Sequence, residues 1–266
     1  MKTTDSPSDR IIIPFSVLAD GITIRGRIFV PARPRSAKYP ALIICHGVPG
    51  SVAARPDDDP GYDALAEEFA SLGVAAVFFN FRGCGDSGGD FDMLGWARDL
   101  EKVLEETLNT PRIDSNRVMV LGFSGGGAAA IYVASANPSI HSLAVVGTPA
   151  HFRLFEADPE DIVQDFRNRG IIRDQGFPPE VNRWVGGFEE IEPQRWIALF
   201  RGKRLLVLHG DADELIPVEH AQELFARAPA GKAELFVVPG GEHRLRLDPR
   251  CVAKLKEWFV ASVSGV

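Results

Sequence analysis

Short apolar runs alternate with longer amphipathic stretches along most of this chain. Residues 11–18 and 22–30 are rich in Ile, Val and Phe and flank Asp20-Gly21, a pair suited to a two-residue hairpin turn. Residues 41–45, 74–81, 118–121, 143–146, 205–208 and 234–238 are brief, nearly continuous apolar runs. That is the pattern of strands covered on both faces. Between them, residues 62–72 and 94–108 place apolar side chains at helical spacing, and Pro111 stops the second stretch. A small-residue run beginning at Gly127 reads as a helix that ends before Pro138, and a last helix is expected over 248–262. Strands alternating with helices predict an α/β fold: a mostly parallel sheet of about eight strands with helices on both faces.

One stretch breaks the alternation. Residues 151–202 contain no strand-like run and are rich in charge, Pro and Trp. At roughly 50 residues the stretch is too long for a structureless connection in a compact domain. The expected organisation is therefore a core domain of residues 1–150 and 203–266 with a small helical cap insertion at 151–202, lying over the C-terminal edge of the sheet. The alternative is an extended crossover packed at its side. Phe177, Trp184, Phe188 and Trp196 either line an acyl or aryl pocket or form the insertion's own core.

Composition narrows the function classes. The 266 residues are 45% hydrophobic and 24% charged, which fits one ordinary domain with a sizeable core. The formal net charge is −7 and Lys and Arg are not clustered, so nucleic acid is not an expected partner. Cys45, Cys84 and Cys251 show no C-x-x-C spacing and read as free thiols of a reducing compartment. The first residues lack the apolar stretch of a signal peptide, and no apolar run approaches the ~20 residues that span a bilayer. A cytoplasmic location without membrane association is expected. There is no H-E-x-x-H and no Cys/His ligand cluster, so no metal site is expected.

Candidate chemistry falls where such a sheet builds its sites, at the carboxyl ends of strands. Ser124 sits in Gly122-Phe123-Ser124-Gly125-Gly126, between an apolar run and a small-residue run. That is strand, sharp turn and helix, with a hydroxyl at the apex and glycines where a Cβ would collide. Three further turns follow strands: His46-Gly47-Val48-Pro49-Gly50, His209-Gly210-Asp211-Ala212-Asp213, and Gly240-Gly241-Glu242-His243. A serine nucleophile needs a base, an acid that orients the base, and donors for the oxyanion. Ser…Asp…His is the chain order of that set in this architecture. Asp211, Asp213 and Glu214 compete for the acid position. His46 reads as a support of its loop through its ring nitrogens, and His209 as strand-end packing. His141, His151 and His220 carry no spacing signal.

Gly83-Cys84-Gly85-Asp86-Ser87-Gly88 is formally a G-x-G-x-x-G dinucleotide signature after a strand. Several residues separate it from the next helix, so that helix N-terminus would not meet a pyrophosphate. No cofactor is expected.

Together these segments resemble the α/β-hydrolase superfamily, in particular small esterases related to serine aminopeptidases, acylaminoacyl-peptidases and feruloyl esterases. The residues 122–126 match its nucleophile elbow, His46 to Gly50 its His-Gly-x-x-Gly oxyanion loop, Gly210 to Pro217 its acid loop, and Gly241-Glu242-His243 its histidine loop. Residues 80–89 resemble its structural Arg-Gly-x-Gly-x-Ser-x-Gly turn. The resemblance implies Ser124 as nucleophile, His243 as base, Asp213 as acid, and the backbone N–H groups of Val48 and Gly125 as oxyanion hole. It implies hydrolysis of a small carboxylic ester, with peptidase, thioesterase and carbon–carbon hydrolase chemistry open to the same triad. A non-catalytic ligand-binding protein on this fold is the alternative outside enzymes, and a homodimer is one option for assembly. Feruloyl esterases carry His and Gln around the nucleophile, where this chain has Phe123 and Gly125. Dehalogenases and epoxide hydrolases place Asp, and dienelactone hydrolases Cys, where Ser124 stands.

Overall fold

The computed structural model describes residues 10–31, 38–50, 59–152 and 158–264. Its centre is an eight-stranded sheet in the order β1-β2-β4-β3-β5-β6-β7-β8. β1 (Arg10–Ala19) and β2 (Ile22–Pro31) form an antiparallel hairpin. Its turn residues Asp20 and Gly21 have φ of 54° and 78°, the left-handed pair such a tight turn needs. β2 pairs antiparallel with β4 (Ala75–Asn80). From β4 onward, β3 (Tyr39–Cys45), β5 (Ile113–Phe123), β6 (Ile140–Val146), β7 (Arg204–Gly210) and β8 (Ala233–Val238) pair in parallel.

The pleat sends alternate side chains of each strand into two separate cores. In β3, Ala41, Ile43 and Cys45 enter one core, and Leu42 and Ile44 the other. Both faces are buried, which is why β3 reads as a continuous apolar run rather than an alternating one. The second core is closed by α1 (Gly61–Ala70) and α8 (Pro249–Ser264) through Leu65, Phe69, Leu255, Trp258 and Phe259. The first is closed by α2 (Met93–Asn109), α3 (Gly125–Ala136) and, later in the chain, α7 (Glu219–Arg227). The apolar pattern gives no sign of α7, because only Ala221 and Leu224 of its nine residues are buried. Among the described residues no helix is long and apolar enough to cross a membrane.

The segment after β6 carries α4 (Pro159–Asn168), α5 (Val181–Glu190) and α6 (Pro193–Trp196). Asp158 caps α4 by accepting from the Glu160 N–H, and Pro159 occupies its first turn. α5 packs beside the first turn of α2: a Cβ on Gly187 would lie 3.4 Å from Leu94 Cβ. Backbone bonds dock the segment to the β4–α2 connection, with the Phe91 N–H donating to the Ile171 carbonyl. The Arg173 guanidinium donates to the carbonyls of Gly83, Gly85 and Ser87. The glycine turn is thus held at its carbonyls by a side chain, and α2 starts only at Met93, with Asp92 as its cap.

Two of the four aromatics offered for a pocket or for the insertion's own core are almost fully buried. Trp184 is 5% and Phe188 2% exposed, and both rings pack with Phe91 and Phe166. Trp184 Nε1–H donates to the Phe91 carbonyl at 2.8 Å. Their contacts belong to the core that joins α4 and α5 to the start of α2. Phe177 borders the same core, and Trp196 lies against Tyr132 of α3 with ring centroids 4.9 Å apart.

Candidate active site

Ser124 stands between β5 and α3 with φ 51° and ψ −124°, a conformation that non-glycine residues rarely adopt. The surrounding glycines make it possible. A Cβ on Gly122 would overlap the Gly127 backbone, and one on Gly126 would overlap the His46 carbonyl. The Ser124 N–H donates to the Val146 carbonyl at 2.8 Å, and the Ser124 carbonyl accepts from the Gly127 N–H at 2.9 Å. The elbow is therefore fastened to β6 on one side and opens α3 on the other.

His243, in the loop after β8, brings Nε2 to 3.1 Å from Ser124 Oγ. Its Nδ1 lies 2.7 Å from Asp213 Oδ2. Asp213 is buried in the loop after β7, and its Oδ1 accepts the N–H groups of Leu215 and Ile216 at 3.0 and 2.9 Å. Burial alone would raise its pKa. Hydrogen bonds from His209, His243 and the Ile216 N–H outweigh burial and hold the carboxyl well below the usual carboxylate range. The other two carboxylates turn elsewhere: Asp211 Oδ1 accepts from the Gly240 N–H at 2.5 Å, and Glu214 is exposed.

The loop after β3 lies against the elbow. A Cβ on Gly47 would stand 3.0 Å from Ser124 Cβ, and the Val48 nitrogen lies 3.8 Å from where a Cβ on Gly125 would stand. The backbones of Val48 and Gly125 thus adjoin beside Ser124. His46 supports this loop with both ring nitrogens. Nδ1–H donates to the Gly47 carbonyl at 2.7 Å, and Nε2 accepts from the Phe81 N–H at 3.1 Å. Burial pushes the His46 pKa down to about 4, and the bond to Gly47 offsets only part of that.

Two contacts were not legible in the motifs. Tyr62 of α1 accepts the Gly47 N–H through its hydroxyl at 3.3 Å, while the Arg246 guanidinium lies 4.9 Å over its ring. His209, at the end of β7, places Nε2 3.3 Å from Asp213 Oδ2. The four-residue interval between His209 and Asp213 was the available signal. The remaining histidines lie apart from the triad contacts. His141 meets Ser142, and the His151 ring stands 4.5 Å from that of His220.

A serine at a strained elbow, an imidazole on its oxygen and a buried carboxylate behind that imidazole suit acyl transfer through a serine ester. A model of the prolyl oligopeptidase family matches residues 60–265, which include all three. The chain belongs to that family. It is also 25% identical over 234 residues to the uncharacterized protein YfhR of Escherichia coli O157:H7, covering 84% of this chain and 70% of that one. With a monoacylglycerol lipase of Mycolicibacterium smegmatis it shares 26% identity over 223 residues, 71% of this chain and 78% of the lipase. The α/β hydrolase GrgF from Penicillium superposes with a TM-score of 0.71 at 16% identity, covering 95% of this chain and 98% of that one. The molecule is thus an α/β hydrolase of the serine-hydrolase superfamily.

Proposed function

We propose that this prolyl oligopeptidase family member hydrolyses carboxylic esters through an acyl-enzyme on Ser124. The observation that carries the reading is the unbroken chain Ser124 Oγ, His243, Asp213, with contacts of 3.1 and 2.7 Å. Ser124 Oγ attacks the ester carbonyl carbon while its proton passes to His243 Nε2. The new charge on the carbonyl oxygen is met by the N–H groups of Val48 and Gly125. Collapse breaks the bond to the alcohol, which leaves with the proton from His243. Water, deprotonated by the same nitrogen, then attacks the acyl-serine, and the carboxylic acid departs. Asp213 keeps Nδ1 protonated and offsets the imidazolium charge. The sequence of steps is complete without a cofactor.

The family itself favours a second reading, cleavage of aminoacyl or acyl-peptide amides by the same residues. The test is labelling by a fluorophosphonate probe, followed by turnover of p-nitrophenyl esters, aryl esters and aminoacyl amides. The ester reading expects labelling of the wild type, none of Ser124→Ala, and kcat/KM for esters above that for amides. Labelling with amides preferred would transfer the assignment to peptidase chemistry. An unlabelled wild type would leave a binding protein.

A further inference from the structure

We propose that His209 is a positioning residue for Asp213, an inference that rests on the triad reading just given. His209 is fully buried at the end of β7. Its Nε2 lies 2.7 Å from the Ile216 carbonyl and 3.3 Å from Asp213 Oδ2. Both neighbours are acceptors, so Nε2 carries the hydrogen, bonds the Ile216 carbonyl with it and turns the same positive edge toward Asp213 Oδ2. The opposite nitrogen, Nδ1, is buried with no hydrogen-bond partner. A leucine would fill a strand end without burying an unsatisfied polar atom, so packing alone does not account for an imidazole here.

The geometry shows what the N–H does. The backbone N–H groups of Leu215 and Ile216 fix Oδ1 and leave the carboxylate free to swing about that point. Oδ2 is met by two imidazoles, His243 and His209. His243 gains and loses a proton in each half-reaction. His209 does not enter the proton path, so its N–H, 3.3 Å away, holds Oδ2 in place while His243 changes charge. The same hydrogen reaches the Ile216 carbonyl and closes the loop from its far end, which keeps the Leu215 and Ile216 N–H groups aimed at Oδ1.

The test compares His209→Gln, His209→Asn and His209→Leu in the full chain. The glutamine amide nitrogen reaches about as far as Nε2, whereas the asparagine amide stops near the position of Nδ1. With a p-nitrophenyl ester, the Asn and Leu variants should lose ~10–100-fold in kcat, the scale of a displaced catalytic group, with KM within about twofold. The Gln variant should recover most of that loss. Fluorophosphonate labelling rates should fall and recover in the same order. Thermal unfolding run alongside separates this from simple packing. Equal losses of stability in all three, with kcat unchanged or with Gln no better than Asn, would overturn the proposal. If the Leu variant does not fold, the Asn and Gln pair decides. A wild type that resists the probe would overturn the triad reading and the proposal with it; a reactive wild type beside equally reactive variants would overturn only the role of His209.

Discussion

His243 and Asp213 are 30 positions apart in the chain, yet Nδ1 and Oδ2 meet at 2.7 Å. Asp213→Asn should therefore cost ~10⁴ in kcat, because asparagine stabilises the wrong imidazole tautomer. Asp211→Asn and Glu214→Gln should stay within about tenfold of wild type. Steady-state ester hydrolysis by the three purified variants checks this. A dominant loss in Asp211→Asn would move the role of acid to that residue.

Gly47→Ala should impair chemistry as well as folding. Its Cβ would stand 3.0 Å from Ser124 Cβ and 3.2 Å from the Phe123 carbonyl, so the loop or the elbow must shift by a few tenths of an ångström. Overpacking of that kind costs ~1–3 kcal/mol in stability. Displacement of the nucleophile or of the adjoining Val48 backbone should cost ~10–100-fold in kcat. Wild-type kcat in a variant with a lowered melting temperature would contradict the expectation.

The burial of His46 makes a prediction about pH. Its folded-state pKa is pushed down to about 4, against 6.5 for the free side chain. The unfolded chain therefore binds the proton first as pH falls, and stability drops between about pH 6.5 and pH 4. Above pH 6.5 the contribution is fully present; across the window it amounts to roughly 3 kcal/mol. His46→Gln should be less stable at pH 7.5 but should lose less on acidification. Urea midpoints for both proteins at pH 7.5 and pH 5 measure the difference, and parallel slopes would refute it.

Trp184→Ala should cost ~3–5 kcal/mol of stability, the usual penalty for emptying an aromatic core site. The ratio of kcat/KM between short and bulky esters should stay unchanged within about twofold. Trp196→Ala should leave that ratio unchanged as well, since its ring rests on Tyr132 and its Nε1–H donates to the Glu190 carbonyl. A tenfold change of the ratio in either variant would return these rings to the substrate.

The elbow was legible in the chain because its requirement is local: small residues must stand where strand and helix nearly touch, and Gly122, Gly126 and Gly127 do. The six strands from β2 to β7 were legible because apolar runs mark their buried positions, whereas β1 and β8 showed as apolar runs although most of their side chains are exposed or half-buried. Side-chain direction was harder. Asp211, Asp213 and Glu214 differ only in where the loop points them, and that depends on the Gly240 N–H and on His243, contributed by the far side of β8. Trp184 was ambiguous for a related reason. Its partner Phe91 lies 93 positions earlier, so nothing near Trp184 says whether it meets protein or ligand. His209 looked like strand-end packing because its acceptors come from a loop that folds back only after Asp213.

The order of the site residues along the chain also governs when chemistry can begin. Ser124 precedes His243 by 119 positions. At ribosomal rates of ~5–20 residues per second, the serine waits roughly 6–24 s for its base to be made. On the proposed mechanism its hydroxyl stays an ordinary alcohol until β7 and β8 have joined the sheet, and a chain cut before His243 is expected to be hydrolytically silent. On that mechanism reactivity is a late product of synthesis, acquired only once His243 stands beside Ser124.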